Sequence, residues 1–233
     1  MTKTLVIVTH PNYQDSKINK RWVEELETQP DRFTVHHLYS TYPDAVIDVE
    51  REQKLVESHD NVVFQFPVYW FNCPPLLKQW LDEVLLYGWA YGSGGEAFKG
   101  KKVGLAVSMG SPAESYTPAG NQGYLVEEIL RPFELLANHV ESDYQPIFKF
   151  HSTENDPEAT EDIQEAVEHS AESYMMHLSM YFSDISLKVS SPDVSCVNLC
   201  ASASACNASR FVAKPRFFFH ETLFVIGFFT LKT

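Results

Sequence analysis

The sequence predicts a doubly wound α/β domain, and three observations carry that prediction. Short apolar runs recur through the first 180 residues, stretches of helical periodicity separate them, and 44% hydrophobic with 21% charged residues is a globular balance. Apolar runs alternating with helices imply a parallel sheet covered by helices on both faces.

The elements follow in order. Residues 4–9 form a continuous apolar run, the mark of a strand buried on both sides, and Ile18, Trp22, Val23 and Leu26 then share one helical face. Residues 33–38 give a second strand and a polar helix spans about residues 50–58. A third strand covers residues 61–66. Pro74 and Pro75 suit the opening turn of the next helix, whose apolar stripe is Leu76, Leu77, Trp80, Leu81, Val84 and Leu85. Residues 102–108 read as strand four, 123–136 as a helix, 144–150 as strand five, and 157–180 as a last helix whose early acids suit its dipole. The domain is expected to span residues 1–182. Residues 183–233 differ in character, with 5 basic and 3 acidic residues against 13 and 28 before them, and are expected to be an atypical tail. A chain ending at about Tyr181 is expected to fold alone.

Charge and cysteine usage exclude several classes. A formal charge of -13 leaves no basic surface for phosphate backbones, so nucleic acid is not an expected partner. The opening apolar stretch is too short for a signal sequence or a membrane span. A cytoplasmic protein is expected. Cys73 stands alone in the first 180 residues, and Cys196, Cys200 and Cys206 lack ligand spacing, so neither a disulfide framework nor a metal site is indicated.

In a doubly wound sheet of order 2-1-3-4-5, ligands sit outside the carboxyl ends of strands 1 and 3, where strand order reverses. Three connections reach that edge. "HPNYQDSKIN" (residues 10–19) offers Ser16, Asn19 and the amides of a helix start to a phosphate; equally, Asp15 or Ser16 serves only as a helix cap. No GxGxxG or GxxxxGK motif occurs there, which counts against dinucleotide-fingerprint and P-loop readings. "PVYWFNC" (67–73) puts Tyr69, Trp70 and Phe71 where polar residues usually sit, as a wall for a flat heteroaromatic ring or as core packing. "SMGSPAESYTPAGNQGY" (108–124) has the small residues that allow close backbone approach. Cys73, near a helix start, is open to thiol activation or plain packing, and residues 91–100 read as a flexible connection. His151, just past strand five, faces either the pocket or the surface.

Together, "HPNYQDSKIN", "FPVYWFNCPPLLKQWLDEVLLYGWAY", "FKGKKVGLAVSMGS" and "LLANHVESDYQPIFKFH" resemble the flavodoxin-like NAD(P)H quinone oxidoreductase family, which includes the ancillary subunits of glutathione-gated potassium efflux systems. The resemblance covers about residues 1–180. It implies FMN, with FAD as the alternative, and NADPH or NADH as co-substrate. His10, Ser16, Ile18 and Asn19 would approach the flavin phosphate and tail, Pro67, Val68, Tyr69, Trp70 and Phe71 its ring, and Ser108, Met109, Gly110 and Ser111 its other side. Tyr116 matches a tyrosine near the reactive end. Tyr91 matches one that closes the partner's pocket in a homodimer, and Gln122 and His151 fall among substrate-side residues. Gln122 stands where larger relatives carry a histidine. The resemblance implies hydride transfer to a quinone by alternating binding at one site. Its alternatives are a redox-sensing ancillary subunit of an efflux transporter, peripheral at the inner membrane face, and a one-electron carrier.

Overall fold

A computed structural model of the chain describes residues 2–151 and 163–183. Strands β1 (Thr4–Val8), β2 (Phe33–His37), β3 (Asn61–Pro67) and β4 (Lys102–Met109) pair in parallel, and with β5 (Asp143–Tyr144) they run in the order β2-β1-β3-β4-β5. The doubly wound prediction holds. β1 and β3 are buried along their whole length, the consequence of helices on both faces.

Helices alternate with strands. α1 (Ile18–Glu27) packs with α7 (Ile163–Tyr181) on one face, around Val6, Val8, Trp22, Val63 and Tyr174. The other face is covered through Leu5, Ile7, Phe64, Trp80 and Phe133, by α3 (Val49–Glu57), α4 (Pro75–Val84) and α6 (Arg131–His139). A one-turn helix, α2 (Leu38–Thr41), takes the last residue of the expected second strand, and another, α5 (Val126–Ile129), precedes α6.

Two expected elements are divided. The helix expected over 123–136 is two helices, because Pro132 has no amide to continue a ladder and its ring excludes the preceding turn. The strand expected over 144–150 breaks at Gln145, Pro146 and Ile147, so that β5 and β6 (Phe148–His151) each pair separately with β4. The early part of the expected last helix, and the tail expected from residue 183, lie outside the described residues after Ser183 and between 152 and 162.

A chain ending at Tyr181 would lose one buried contact. Phe182 is 3% exposed, its ring lies over Gly104 where a Cβ would come within 2.6 Å, and its carbonyl accepts from Asn61 Nδ2 at 2.9 Å. Residues 91–100, expected to be a flexible connection, are tied down as well. Gly88 N donates to Tyr91 O, Ala97 N to Trp89 O, and Phe98 is fully buried.

Candidate functional site

The register that aligns Val8 with Gln65 and Pro67 with Ser108 brings the ends of β1, β3 and β4 to one edge, so the loops after them meet. The first loop turns through a 3-10 segment, Tyr13–Asp15, into α1. Ser16 Oγ accepts from the amide of Asn19 at 3.1 Å, a cap-like hydrogen bond at the start of α1. Ser16 also lines a cavity of about 320 Å³, together with His10, Asp15, Lys17, Ile18, Asn19 and Ser108, and with Ile163 and Val167 of α7; the Asp15 carboxylate accepts from Asn12 Nδ2 at 2.7 Å. Burial lowers the pKa of His10, and its Nδ1 accepts from the amide of Asn12 at 3.1 Å.

The second loop is a tight turn. Tyr69 and Asn72 exchange both backbone hydrogen bonds, at 2.9 and 3.0 Å, and the two residues between them have positive φ, 48° at Trp70 and 63° at Phe71. Such a turn ordinarily takes Asn or Gly, and a left-handed conformation costs other residues about 1–2 kcal/mol each. The strain holds three rings outward. Tyr69 is 42%, Trp70 93% and Phe71 47% exposed, so none of them fills the core. Val68 N donates to Ser108 O at 2.9 Å and joins this loop to the third. The Pro74 and Pro75 prediction holds: they open α4. Cys73 is buried and burial raises its pKa, which favours packing over an activated thiol.

In the third loop, Met109 is buried while Gly110 is exposed, with open space where a Cβ would stand. Ser111 O faces His151 Nδ1 at 3.2 Å, and the His151 ring lies 5.4 Å from that of Tyr116. His151 therefore turns inward; burial lowers its pKa, against the opposing pull of Ser111 O, Glu114 and Glu127. Gln122 lies with Phe71 and Tyr124 beside a second cavity of about 490 Å³. Tyr91 does not join these loops. It packs on His139 of α6, ring centroids 4.8 Å apart.

Beneath the first cavity is a buried polar chain that the sequence did not disclose. Gln65 Nε2 donates to Asn19 O at 3.1 Å and lies 3.4 Å from Asn19 Oδ1, while Asn19 Nδ2 donates to Ser108 Oγ at 2.9 Å. Gln65 Oε1 and Thr9 Oγ1 are buried without a protein partner. No cluster of metal ligands occurs among the described residues. Nor is any helix there long and apolar enough to cross a membrane.

The profile of a family described as having a flavodoxin-like fold matches residues 2–173. The chain belongs to the Flavodoxin_2 family. Among curated relatives of this flavodoxin-like chain, the uncharacterized NAD(P)H oxidoreductase YrkL of Bacillus subtilis is 46% identical over 151 residues, 65% of this chain and 86% of that protein. The glutathione-regulated potassium-efflux system ancillary protein KefG of Pectobacterium carotovorum is 45% identical over 135 residues, 58% of this chain and 73% of its own length. Of solved structures, general stress protein 14 of Treponema denticola in complex with FMN aligns with TM-score 0.72 and 53% identity, over 77% of this chain and 99% of that one. An NADPH-quinone reductase of P. pentosaceus aligns with TM-score 0.65 and 31% identity, over 74% and 97%.

The donor set fits a flavin with a phosphate tail. The first cavity combines the start of α1 with hydroxyl and amide groups, and the exposed rings of the second loop stand at the same sheet edge.

Proposed function

We propose that this chain is an FMN-dependent NAD(P)H oxidoreductase that delivers hydride to a quinone-like acceptor. The observation that carries the reading is the meeting of three loops at one edge: a cavity lined by Ser16, Asn19 and Ser108, with the Asp15 carboxylate engaged by Asn12 Nδ2, beside exposed rings on a turn with two positive-φ residues. The FMN complex of a 53% identical neighbour supports the choice of cofactor. The bound flavin supplies the redox chemistry. Ser16, Asn19 and Ser108 hold its phosphate, Tyr69, Trp70 and Phe71 flank its ring, and the backbone of Gly110 and Ser111, just past β4, approaches its polar edge. Tyr116 donates a hydrogen bond where negative charge collects on reduction. Both substrates use one site in turn, so ping-pong kinetics are expected. A homodimer, with Tyr91 closing the partner's pocket, belongs to the same reading.

Extraction and chromatography of the cofactor, followed by NADPH or NADH oxidation with a soluble quinone, test this directly. Parallel lines in double-reciprocal plots are expected. No flavin bound after incubation with excess FMN would overturn the reading. The 45% identity to KefG favours a second reading, a redox-sensing subunit on a cation-efflux transporter at the inner membrane face. Flavin binding without turnover on any acceptor, together with co-purification of such a transporter, would establish it.

A further inference from the structure

Gln65 lies in the middle of the sheet, fully buried, yet it is polar and one of its oxygens has no protein partner. A strand position between Phe64 and Phe66 that only packed would be served better by an apolar side chain, since an unpaired buried acceptor is a net cost. Its nitrogen is where the side chain is used. Asn19 O is a carbonyl and can only accept, so the amide atom facing it at 3.1 Å must be Nε2. That choice fixes the next. Nε2 also faces Asn19 Oδ1 at 3.4 Å, which turns Asn19 Nδ2 toward Ser108 Oγ at 2.9 Å. A serine hydroxyl that accepts from an amide keeps its own proton free to donate. Ser108 lines the first cavity, as Asn19 does.

We infer that Gln65 is a positioning residue whose hydrogen bonds, passed through Asn19, aim the Ser108 hydroxyl as a donor into the cavity that takes a flavin phosphate. The inference rests on the proposed function for the identity of the ligand. An ionised phosphate ester presents acceptors only, so a donor of fixed polarity suits it and an acceptor there would repel it. Gln65 itself does not line the cavity and acts only through Asn19.

Riboflavin, which lacks the phosphate, separates this role from a structural one. Flavin fluorescence titrations should show the native chain binding FMN more tightly than riboflavin. Gln65→Met, similar in shape but without an N–H, should weaken FMN about tenfold, the worth of about 1.4 kcal/mol, and leave riboflavin within about twofold. Ser108→Ala should do the same, and the double variant should lose little beyond either single one, because coupled residues are not additive. In the flavin-free protein, inorganic phosphate should raise the melting midpoint of the native chain and not that of Gln65→Met. Should Gln65→Met fail to fold, Gln65→Glu keeps the shape, and its ionised form has no N–H to give. Equal losses for FMN and riboflavin, fully additive losses in the double variant, or a phosphate response retained in Gln65→Met would each overturn the inference. A native chain that binds no flavin overturns the proposed function instead, and the phosphate measurement still decides Gln65.

Discussion

Two buried polar networks lie on opposite faces of the same sheet, and they are built to opposite rules. On the α3, α4 and α6 side, fully buried Glu52 accepts from Tyr42 Oη at 2.7 Å and Trp80 Nε1 at 2.8 Å, with His36 Nε2 3.0 Å away. His36 is close enough for charge pairing, although its nitrogen is poorly aligned for a hydrogen bond. Burial pushes the Glu52 carboxyl up, but His36, Tyr42 and Trp80 outweigh it and hold the pKa below the ordinary carboxylate value. On the α1 side, the Gln65, Asn19 and Ser108 chain ends at a cavity and leaves one oxygen unpaired. The Glu52 network leaves His36 Nε2 without a hydrogen bond too, but it stays within the core and ties helices to a strand. A network open to a cavity, with a donor to spare, is suited to a ligand. The difference teaches that neither burial nor an unpaired polar atom marks function by itself, since His36 Nε2, Tyr144 Oη and Tyr174 Oη are also buried without a hydrogen bond; the Gln65 chain is set apart by ending at a cavity.

The largest test of this contrast is Glu52→Ala. It strands three buried partners, so chemical denaturation should show a loss of about 3–5 kcal/mol, with flavin affinity unchanged in the fraction that folds. The pH dependence has a definite sign. Because the folded pKa of Glu52 is depressed, its contribution is complete above the unfolded value of 4.5 and is lost as pH falls through the lower folded value. His10, His37, His151 and His177 have pKa values lowered by burial, so the unfolded chain binds more protons just below 6.5 and stability should already decline there. Denaturant midpoints measured from pH 7 to pH 4 check both.

Next is the closed contact at Phe182. A chain ending at Tyr181 should be less stable than one ending at Ser183 by about 3 kcal/mol, the scale of deleting a buried aromatic ring; equal stabilities would refute the role given to Gly104 and Asn61. On the open side, Tyr116→Phe should slow flavin reduction about tenfold, or about 1.4 kcal/mol of barrier. Gln122→Ala should matter less, and stopped-flow reduction by NADPH measures both. Trp70→Gly should stabilise the fold by about 1 kcal/mol through relief of its positive φ, while weakening flavin binding: a gain in one quantity against a loss in the other. Last, Gly110→Ala meets open space, so stability should stay within about 0.5 kcal/mol, and a fall in FMN affinity would place the ligand against that backbone.

The strands and the three loops were legible because apolar runs and helical periods alternate up to β4, while the strand order came with the flavodoxin-like fold and not from the alternation itself. The outward rings of Tyr69, Trp70 and Phe71 were legible as an anomaly, although nothing local disclosed the turn that holds them. Glu52 was not legible. It sits among Glu50, Arg51 and Gln53, and a polar helix reads as solvated until Tyr42, Trp80 and His36, far apart in sequence, are seen to converge. Gln65 escaped for the opposite reason, as one polar residue within an apolar run. The breaks at Pro132 and Pro146 were signalled by the prolines, and there the apolar pattern on either side was given too much weight.

The cavity floor also bears on when the site comes into being. Gln65 reaches back 46 residues to Asn19, and Asn19 reaches forward 89 residues to Ser108. Such contacts form only after large loops have closed, and chains dominated by them fold slowly. A partly assembled sheet holding β1 and β3 without β4 would have the amide pair and no hydroxyl. Flavin present during refolding can therefore act only after the slow step: it should raise the yield of native chain by mass action while leaving the rate of its appearance unchanged.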